Sequence, residues 1–69
     1  MSYRTLWMEF KNRRNKLVNV LCTDGDLVNG KFVDIMDAYD NEYDAIFLKS
    51  QEGALIEIPA NEVAGIYGA

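Results

Sequence analysis

Five carboxylate side chains lie close together in the middle of the sequence, at positions 34, 37, 40, 42 and 44. A group of this kind has the chemistry to bind Ca²⁺ or to supply an acid and a base to a reaction. The EF-hand calcium loop also needs a central Gly and a final Glu at set positions, and this segment does not follow that spacing. A catalytic pair needs a cleft, which a domain of this size rarely provides. We therefore interpret the segment as a solvated acidic loop.

The composition excludes several enzymatic mechanisms. The chain has no His and a single Cys, which excludes Ser-His-Asp and Cys-His mechanisms, imidazole acid/base catalysis and zinc sites of the usual ligand type. Lys31 does not stand in the glycine-rich pattern of a phosphate-binding loop. Cys22 alternates with Val18 and Val20, so we interpret it as a small buried apolar residue. We expect a non-enzymatic protein without a cofactor or metal.

Charge is divided unevenly along the chain. Residues 1–16 hold five cations against Glu9 alone, a net charge of +4, whereas the other 53 residues hold two lysines against ten carboxylates, a net charge of -8. The cations at the end of the basic segment include Lys11, Arg13 and Arg14. A basic segment on an acidic body predicts contact with a polyanion or with another subunit. A solvated helix face is the alternative.

The chain has 69 residues, a length that corresponds to one small domain, residues 1–69. Such a domain buries only about 60% of its unfolded surface, so disulfides, a metal or partner subunits usually support it. One Cys forms no internal disulfide, which leaves self-association as the expected support. Because the sequence has neither a membrane-spanning apolar run nor a signal peptide, and its thiol is unpaired, we expect a soluble cytoplasmic protein.

A helix is predicted within residues 1–16. Tyr3, Leu6, Trp7 and Phe10 recur at the spacing of one helical stripe, and Ser2 is a suitable N-cap. The basic residues follow at the C-terminal end, where cations favour the helix dipole. The aromatic stripe predicts a helix that lies across one end of the remaining domain, with its cations turned towards solvent or a neighbour.

Residues 17–67 are predicted to form short strands that are separated by turns. The predicted strands are 17–23, 26–36, 45–49, 54–58 and 63–67, with Asp24-Gly25 as a hairpin turn and Pro59 ending the fourth strand. Gly30 inside the second strand predicts a bulge or a bend. The four residues after the fourth strand predict a 3₁₀ turn. The fold class is mainly β, with an N-terminal α-helix followed by a five-stranded, strongly bent antiparallel open barrel.

This order resembles the Sm-like family, which includes the Sm, LSm and Hfq proteins, over nearly the whole chain. Residues 18–32, Val-Asn-Val-Leu-Cys-Thr-Asp-Gly-Asp-Leu-Val-Asn-Gly-Lys-Phe, are similar to the first half of the first Sm motif, with Gly30 as its bend glycine. Residues 58–66 are similar to the apolar frame of the second motif, with Asn61 at its polar position. Pro59-Ala60 replaces the Arg-Gly pair of that motif.

The resemblance also implies a site in the loop after the second strand. Family members place an Asp, an aromatic or His, and an Asn there at alternate positions, and Asp37, Tyr39 and Asn41 match this pattern. An unpaired base would stack on the Tyr39 ring while the Asn41 amide bonds to its edge. Glu42-Tyr43-Asp44 makes this loop longer and more acidic than the family pattern.

Three hypotheses about function follow from these observations. The first is a non-enzymatic Sm-like ring of six or seven copies, closed when the fourth strand of one copy pairs with the fifth of the next. It would bind single-stranded RNA or a ribonucleoprotein partner. The second is an Sm-fold oligomer that serves only as a protein-interaction module, and the third is an unrelated SH3-like barrel acting as a monomer. The candidate RNA-binding residues are Asp37, Tyr39, Asn41, Asn61, Lys11, Arg13 and Arg14.

Overall fold

The computed structural model of the chain describes residues 1–39 and 42–69. It confirms the predicted fold class, with one helix followed by a five-stranded antiparallel sheet. The elements are α1 (Tyr3–Arg13), β1 (Leu17–Cys22), β2 (Leu27–Met36), β3 (Ala45–Lys49), β4 (Leu55–Pro59), a 3₁₀ turn (Ala60–Glu62) and β5 (Val63–Gly68). Pro59 is the last residue of β4, in register with Ala45, and not the first residue after the strand. An edge strand tolerates proline because its outer side has no ladder hydrogen bond to lose.

The connection between β4 and β5 forces the sheet to curl. These strands lie at opposite edges of the sheet, whose order is β4-β3-β2-β1-β5. In a flat sheet, four spacings of about 4.8 Å would separate the edges by roughly 19 Å. Pro59 and Val63 are four residues apart, so even a fully extended chain would span at most about 14 Å between them. The 3₁₀ turn shortens that distance further, and the sheet closes towards an open barrel.

One hydrophobic core fills the curled sheet. Every strand contributes buried side chains to a single cluster, which also includes two residues of α1 and one of the 3₁₀ turn. The strand residues in it are Val18, Val20, Phe32, Ile46, Leu48, Ile58, Val63 and Ile66. Strands from both edges of the sheet therefore pack on the same interior, which is the arrangement that curvature requires.

The irregularity in β2 lies beyond the predicted glycine. The β2–β3 register shifts between Phe32 and Asp34, which makes Val33 the extra residue of a bulge. Gly30 is instead a point of close approach, because a Cβ there would lie 3.0 Å from the Leu48 Cβ and 3.1 Å from a β3 carbonyl oxygen. The glycine lets β2 pass close to β3, and the bulge three residues later changes its register.

The β1–β2 hairpin forms at the predicted turn. The Cys22 amide donates to the Asp26 carbonyl (2.8 Å) and the Cys22 carbonyl accepts from Gly25 (2.9 Å), which closes a loop of residues 23–25. Gly25 adopts a φ of 94°, a conformation that favours glycine. The Asp24 carboxylate caps the turn by accepting from the Asp26 amide at 3.0 Å.

The helix docks through a narrower face than its aromatic stripe predicts. Leu6 and Phe10 are buried, and the Phe10 and Phe32 rings lie 5.0 Å apart. Trp7 remains 43% exposed and Tyr3 is half-buried, so the prediction that all four residues cover the barrel is wrong for Trp7. The reason is geometric: Trp7 is rotated by about 100° from Leu6 around the helix. Its ring instead leans on Phe10, with centroids 6.1 Å apart.

The predicted N-cap is confirmed at the start of α1, since the Ser2 hydroxyl accepts a hydrogen bond from the Thr5 amide at 3.3 Å.

In the part of the chain that the structure describes, no helix is both long and apolar enough to cross a membrane.

Candidate nucleic-acid interface

The 3₁₀ turn joins two acidic segments at one end of the barrel. The Ala60 amide donates to the Asp44 carbonyl at 2.8 Å, and the Glu62 carbonyl accepts from Thr23 in the β1–β2 hairpin at 2.9 Å. The hairpin, the loop after β2 and the 3₁₀ turn therefore meet, and each contributes carboxylates. We call this region the acidic end and define it by Asp24, Asp26, Asp37, Asp44 and Glu62.

The half-buried Cys22 thiol lies beside this end. Burial raises its pKa, and the nearby carboxylates of Asp24, Asp26 and Glu62 raise it further. Cys22 packs against the core, as its alternation with Val18 and Val20 predicts, but it is only partly covered. Its protonated form is favoured because a thiolate would be partly desolvated and would also face three negative charges.

Hydrogen bonds hold both described segments of the loop after β2, residues 37–39 and 42–44. The Asp37 carboxylate accepts from the Tyr39 amide at 3.1 Å, and the Asp44 carboxylate accepts from the Ala38 amide at 2.7 Å. The Tyr43 hydroxyl donates to the Glu57 carboxylate on β4. This hydrogen bond, followed by the charge of Glu57, raises the pKa of Tyr43.

Tyr39 is the most accessible aromatic side chain of the acidic end, with 96% of its surface exposed. Asn61 is also exposed and lies on the 3₁₀ turn, next to the Ala60 amide that contacts Asp44. The structure therefore brings Asn61 near the loop of Asp37 and Tyr39. The predicted base-edge residue Asn41 lies outside the described residues.

The three predicted helix cations have different surroundings. Arg13 forms an ion pair with Glu9, with Nε 2.8 Å from the carboxylate. The Arg14 guanidinium lies 5.7 Å from the centroid of the Phe10 ring, a cation–π geometry. Lys11 is exposed. Arg14 and Lys11 are the members of this group with accessible charges.

Three further cations join this group in the folded chain, and the sequence interpretation missed the two that lie on β2 and β3. Lys31 on β2 and Lys49 on β3 are register partners, and both are exposed. Lys16 lies alongside because its carbonyl accepts from the Phe32 amide at 3.0 Å. The sequence places each of these lysines in a predicted strand, but only the register of the two strands shows that the lysines are neighbours. We call this region the basic end and define it by Lys11, Arg13, Arg14, Lys16, Lys31 and Lys49.

The acidic and basic ends lie on opposite sides of the subunit. The Met1 nitrogen donates to the Ala60 and Val63 carbonyls at 2.8 and 3.3 Å, so α1 starts at the acidic end. The helix then carries the chain about 15 Å from Tyr3 to Arg13. The Arg13 guanidinium lies beside Gly68 at the far end of β5, about 16 Å along that strand from Val63. The predicted site residues therefore form two separate groups.

In comparisons with known proteins, no family model, curated protein or solved structure matches this chain. Among residues 1–39 and 42–69, no group of three or more His, Cys, Asp or Glu side chains is placed to hold a metal ion.

A shallow apolar hollow occupies the outer face of the sheet near β4. It has a volume of about 280 Å³ and is lined by Val33, Asp34, Met36, Phe47 and Leu55. The last of these is 64% exposed on the edge strand. The hollow thus continues to an edge of the sheet that has no strand beside it in the single chain.

Proposed function

We propose that the chain is the subunit of a non-enzymatic, closed Sm-like ring of six or seven copies, in which β4 of one copy pairs with β5 of the next. The observation that carries this proposal is the strand order. β4 and β5 are the two edges of the curled sheet, and each offers one side of its backbone for pairing. A heterologous contact of this kind closes into a ring when each step turns by the same angle.

The side chains of the two edges support the same pairing. Leu55 on β4 is 64% exposed and Tyr67 on β5 is 54% exposed. Covering apolar surface contributes about 25 cal/mol per Å², which a 69-residue domain without a disulfide needs. Pairing through these edges would cover both side chains and continue the ladder.

We further propose that the ring works in the cytoplasm and binds single-stranded RNA or a ribonucleoprotein partner. Tyr39 supports this role because its almost fully exposed ring has a face available for stacking on a base. The basic end would contact phosphates, since Lys31 and Lys49 are exposed cations outside any ion pair in the described part of the chain. The two contacts would be made by different ends of the subunit.

The alternative is a ring that serves as a protein-interaction module without binding nucleic acid. The surroundings of Tyr39 favour it, because Asp37, Asp44 and Glu62 lie at the same end and would repel phosphates. The apolar hollow beside β4 is a surface on which a protein partner could pack.

One experiment separates these functions. Light scattering at micromolar concentration gives the mass of the assembly, and titration with oligo-U and oligo-A at several salt concentrations gives affinity and salt slope. We expect the mass of six or seven subunits and binding that weakens modestly with salt. A monomer would contradict the ring, and a ring that binds neither oligonucleotide at low salt would favour the interaction module.

A further inference from the structure

The segment 42–44, which lengthens the loop relative to the family pattern, makes specific contacts with the barrel. The Tyr43 hydroxyl donates to Glu57 on β4, across 14 positions of sequence. The Asp44 carbonyl accepts from Ala60 in the 3₁₀ turn at 2.8 Å. The segment is therefore attached both to an edge strand and to the turn that follows it.

The same segment is also tied to the other side of the loop. The Asp44 carboxylate accepts from the Ala38 amide at 2.7 Å, and the next amide, that of Tyr39, donates to Asp37. Tyr39 is 96% exposed, so packing does not orient its ring. Hydrogen bonds therefore hold the backbone on which Tyr39 stands. One of them connects Ala38 to Asp44, the residue that follows Tyr43.

We propose that Tyr43 is a positioning residue for Tyr39: its hydroxyl holds residues 42–44 on β4 and thereby keeps the Tyr39 ring presented to an unpaired base of single-stranded RNA. The inference rests on the proposed RNA-binding function. An ordered loop loses less conformational entropy when a ligand binds, and preorganisation of this kind strengthens binding without adding a contact. Tyr43 thus acts on the ligand through Tyr39.

Hydrogen exchange tests the positioning directly. Tyr43→Phe removes one hydroxyl and keeps the ring, and Tyr3→Phe is the matched control because the Tyr3 hydroxyl has no hydrogen bond within the described residues. We expect the Ala38 and Tyr39 amides to exchange several-fold faster in Tyr43→Phe and at the wild-type rate in Tyr3→Phe, with both variants remaining folded. Equal exchange rates in Tyr43→Phe and wild type would overturn the proposal.

The partner side of the hydrogen bond provides a second variant. Glu57→Leu removes the acceptor from the exposed face of β4, and it should accelerate exchange of the same two amides. It should also let Tyr43 ionise at lower pH, which the phenolate absorbance measures. The double variant should exchange no faster than either single one, because both changes remove the same bond. If amide exchange in the double variant were faster than in either single variant, Tyr43 and Glu57 would not act through the same hydrogen bond.

Affinity for oligo-U connects the positioning to function. We expect Tyr43→Phe to weaken binding about three- to tenfold, in the range that the loss of one hydrogen bond produces, while Tyr3→Phe binds as wild type. Combined with Tyr39→Ala, Tyr43→Phe should cause no further loss. If wild type binds oligo-U and Tyr43→Phe binds equally well, Tyr43 does not position the stacking residue. If wild type binds no oligo-U, the proposed RNA function fails, and the exchange rates alone decide whether Tyr43 orders the loop.

Discussion

Lys31 and Lys49 face each other across the β2–β3 ladder as direct register partners. Both side chains are exposed, and the Cβ atoms of such partners lie about 5 Å apart. Within the described residues, Arg13 and Glu9 form an ion pair, whereas neither Lys31 nor Lys49 is part of an ion pair. Two like charges in this position disfavour the fold, whereas a bound anion would be attracted to both.

The first prediction concerns this lysine pair. Lys49→Gln should raise the unfolding free energy by about 0.2–1 kcal/mol, because it removes repulsion between direct cross-strand partners. If the basic end contacts RNA phosphates, the same change should flatten the salt dependence of oligo-U binding. Lys11→Gln, on the helix, serves as the control for stability. A Lys49→Gln protein less stable than wild type in urea titration would contradict the repulsion.

Tyr39 and the two arginines at the C-terminal end of α1, Arg13 and Arg14, should affect binding in different ways. Tyr39→Ala should reduce oligo-U affinity about tenfold or more, since stacking on one base contributes about 1–3 kcal/mol. Its effect on stability should stay within about 0.5 kcal/mol, because the side chain is 96% exposed. Replacing Arg13 and Arg14 should reduce the salt slope without changing the preference between oligo-U and oligo-A. Unchanged affinity in Tyr39→Ala would locate the contact elsewhere.

Phe10 should matter more to stability than Trp7, although tryptophan is the larger residue. Phe10 is 7% exposed and packs on Phe32, so Phe10→Ala should lower the unfolding free energy by about 3–5 kcal/mol. Trp7 is 43% exposed, and Trp7→Ala should have a clearly smaller effect. Thermal or urea unfolding of the two variants measures the difference. The reverse order would mean that the helix docks on its other side.

Two glycines should respond differently to substitution by alanine. At Gly30 a Cβ would lie 3.0 Å from Leu48 and 3.1 Å from a backbone oxygen, so Gly30→Ala should destabilise by overpacking, typically about 1–3 kcal/mol. Gly25 has open space around it but a φ of 94°, so Gly25→Ala should show backbone strain without a clash. A crystal structure of Gly30→Ala should show β2 and β3 displaced, whereas the Gly25 variant should keep its packing.

Alkaline pH should destabilise the fold through Cys22. The pKa of Cys22 in the folded protein lies above its ordinary value of 9.0, first because of burial and then because of Asp24, Asp26 and Glu62. Folding therefore favours the protonated thiol. This stability is fully present below the ordinary pKa and is lost as pH rises through the folded value. Unfolding free energies measured from pH 8 to 11 should fall, and less steeply in Cys22→Ala.

The acidic neighbours can be tested through the reactivity of the same thiol. Asp24→Asn with Asp26→Asn should lower the Cys22 pKa and increase its reaction rate with a thiol reagent at pH 8. Because burial is the larger cause, the rate should not reach that of the unfolded chain. An unchanged rate would mean that these carboxylates do not act on the thiol.

Local patterns in the sequence determined the elements of this fold. The patterns that indicate these elements involve only a few neighbouring positions, as in the alternating apolar residues, the Asp24-Gly25 turn and the Ser2 cap. The helix, the five strands and their succession along the chain could therefore be predicted without a structure. The strand boundaries differ by about one residue, as at Pro59, because edge pairing and not local preference decides where a ladder ends.

The tertiary structure decided how these elements distribute charge and exposure. Lys31 and Lys49 are 18 positions apart in sequence, and only the register of two strands places them side by side. The length of α1, about 15 Å, separates Tyr39 from Lys11, Arg13 and Arg14, although all four belong to the site that the sequence predicts. Rotation of the helix on β2 exposed Trp7. These relationships depend on contacts between distant segments, which local spacing does not encode.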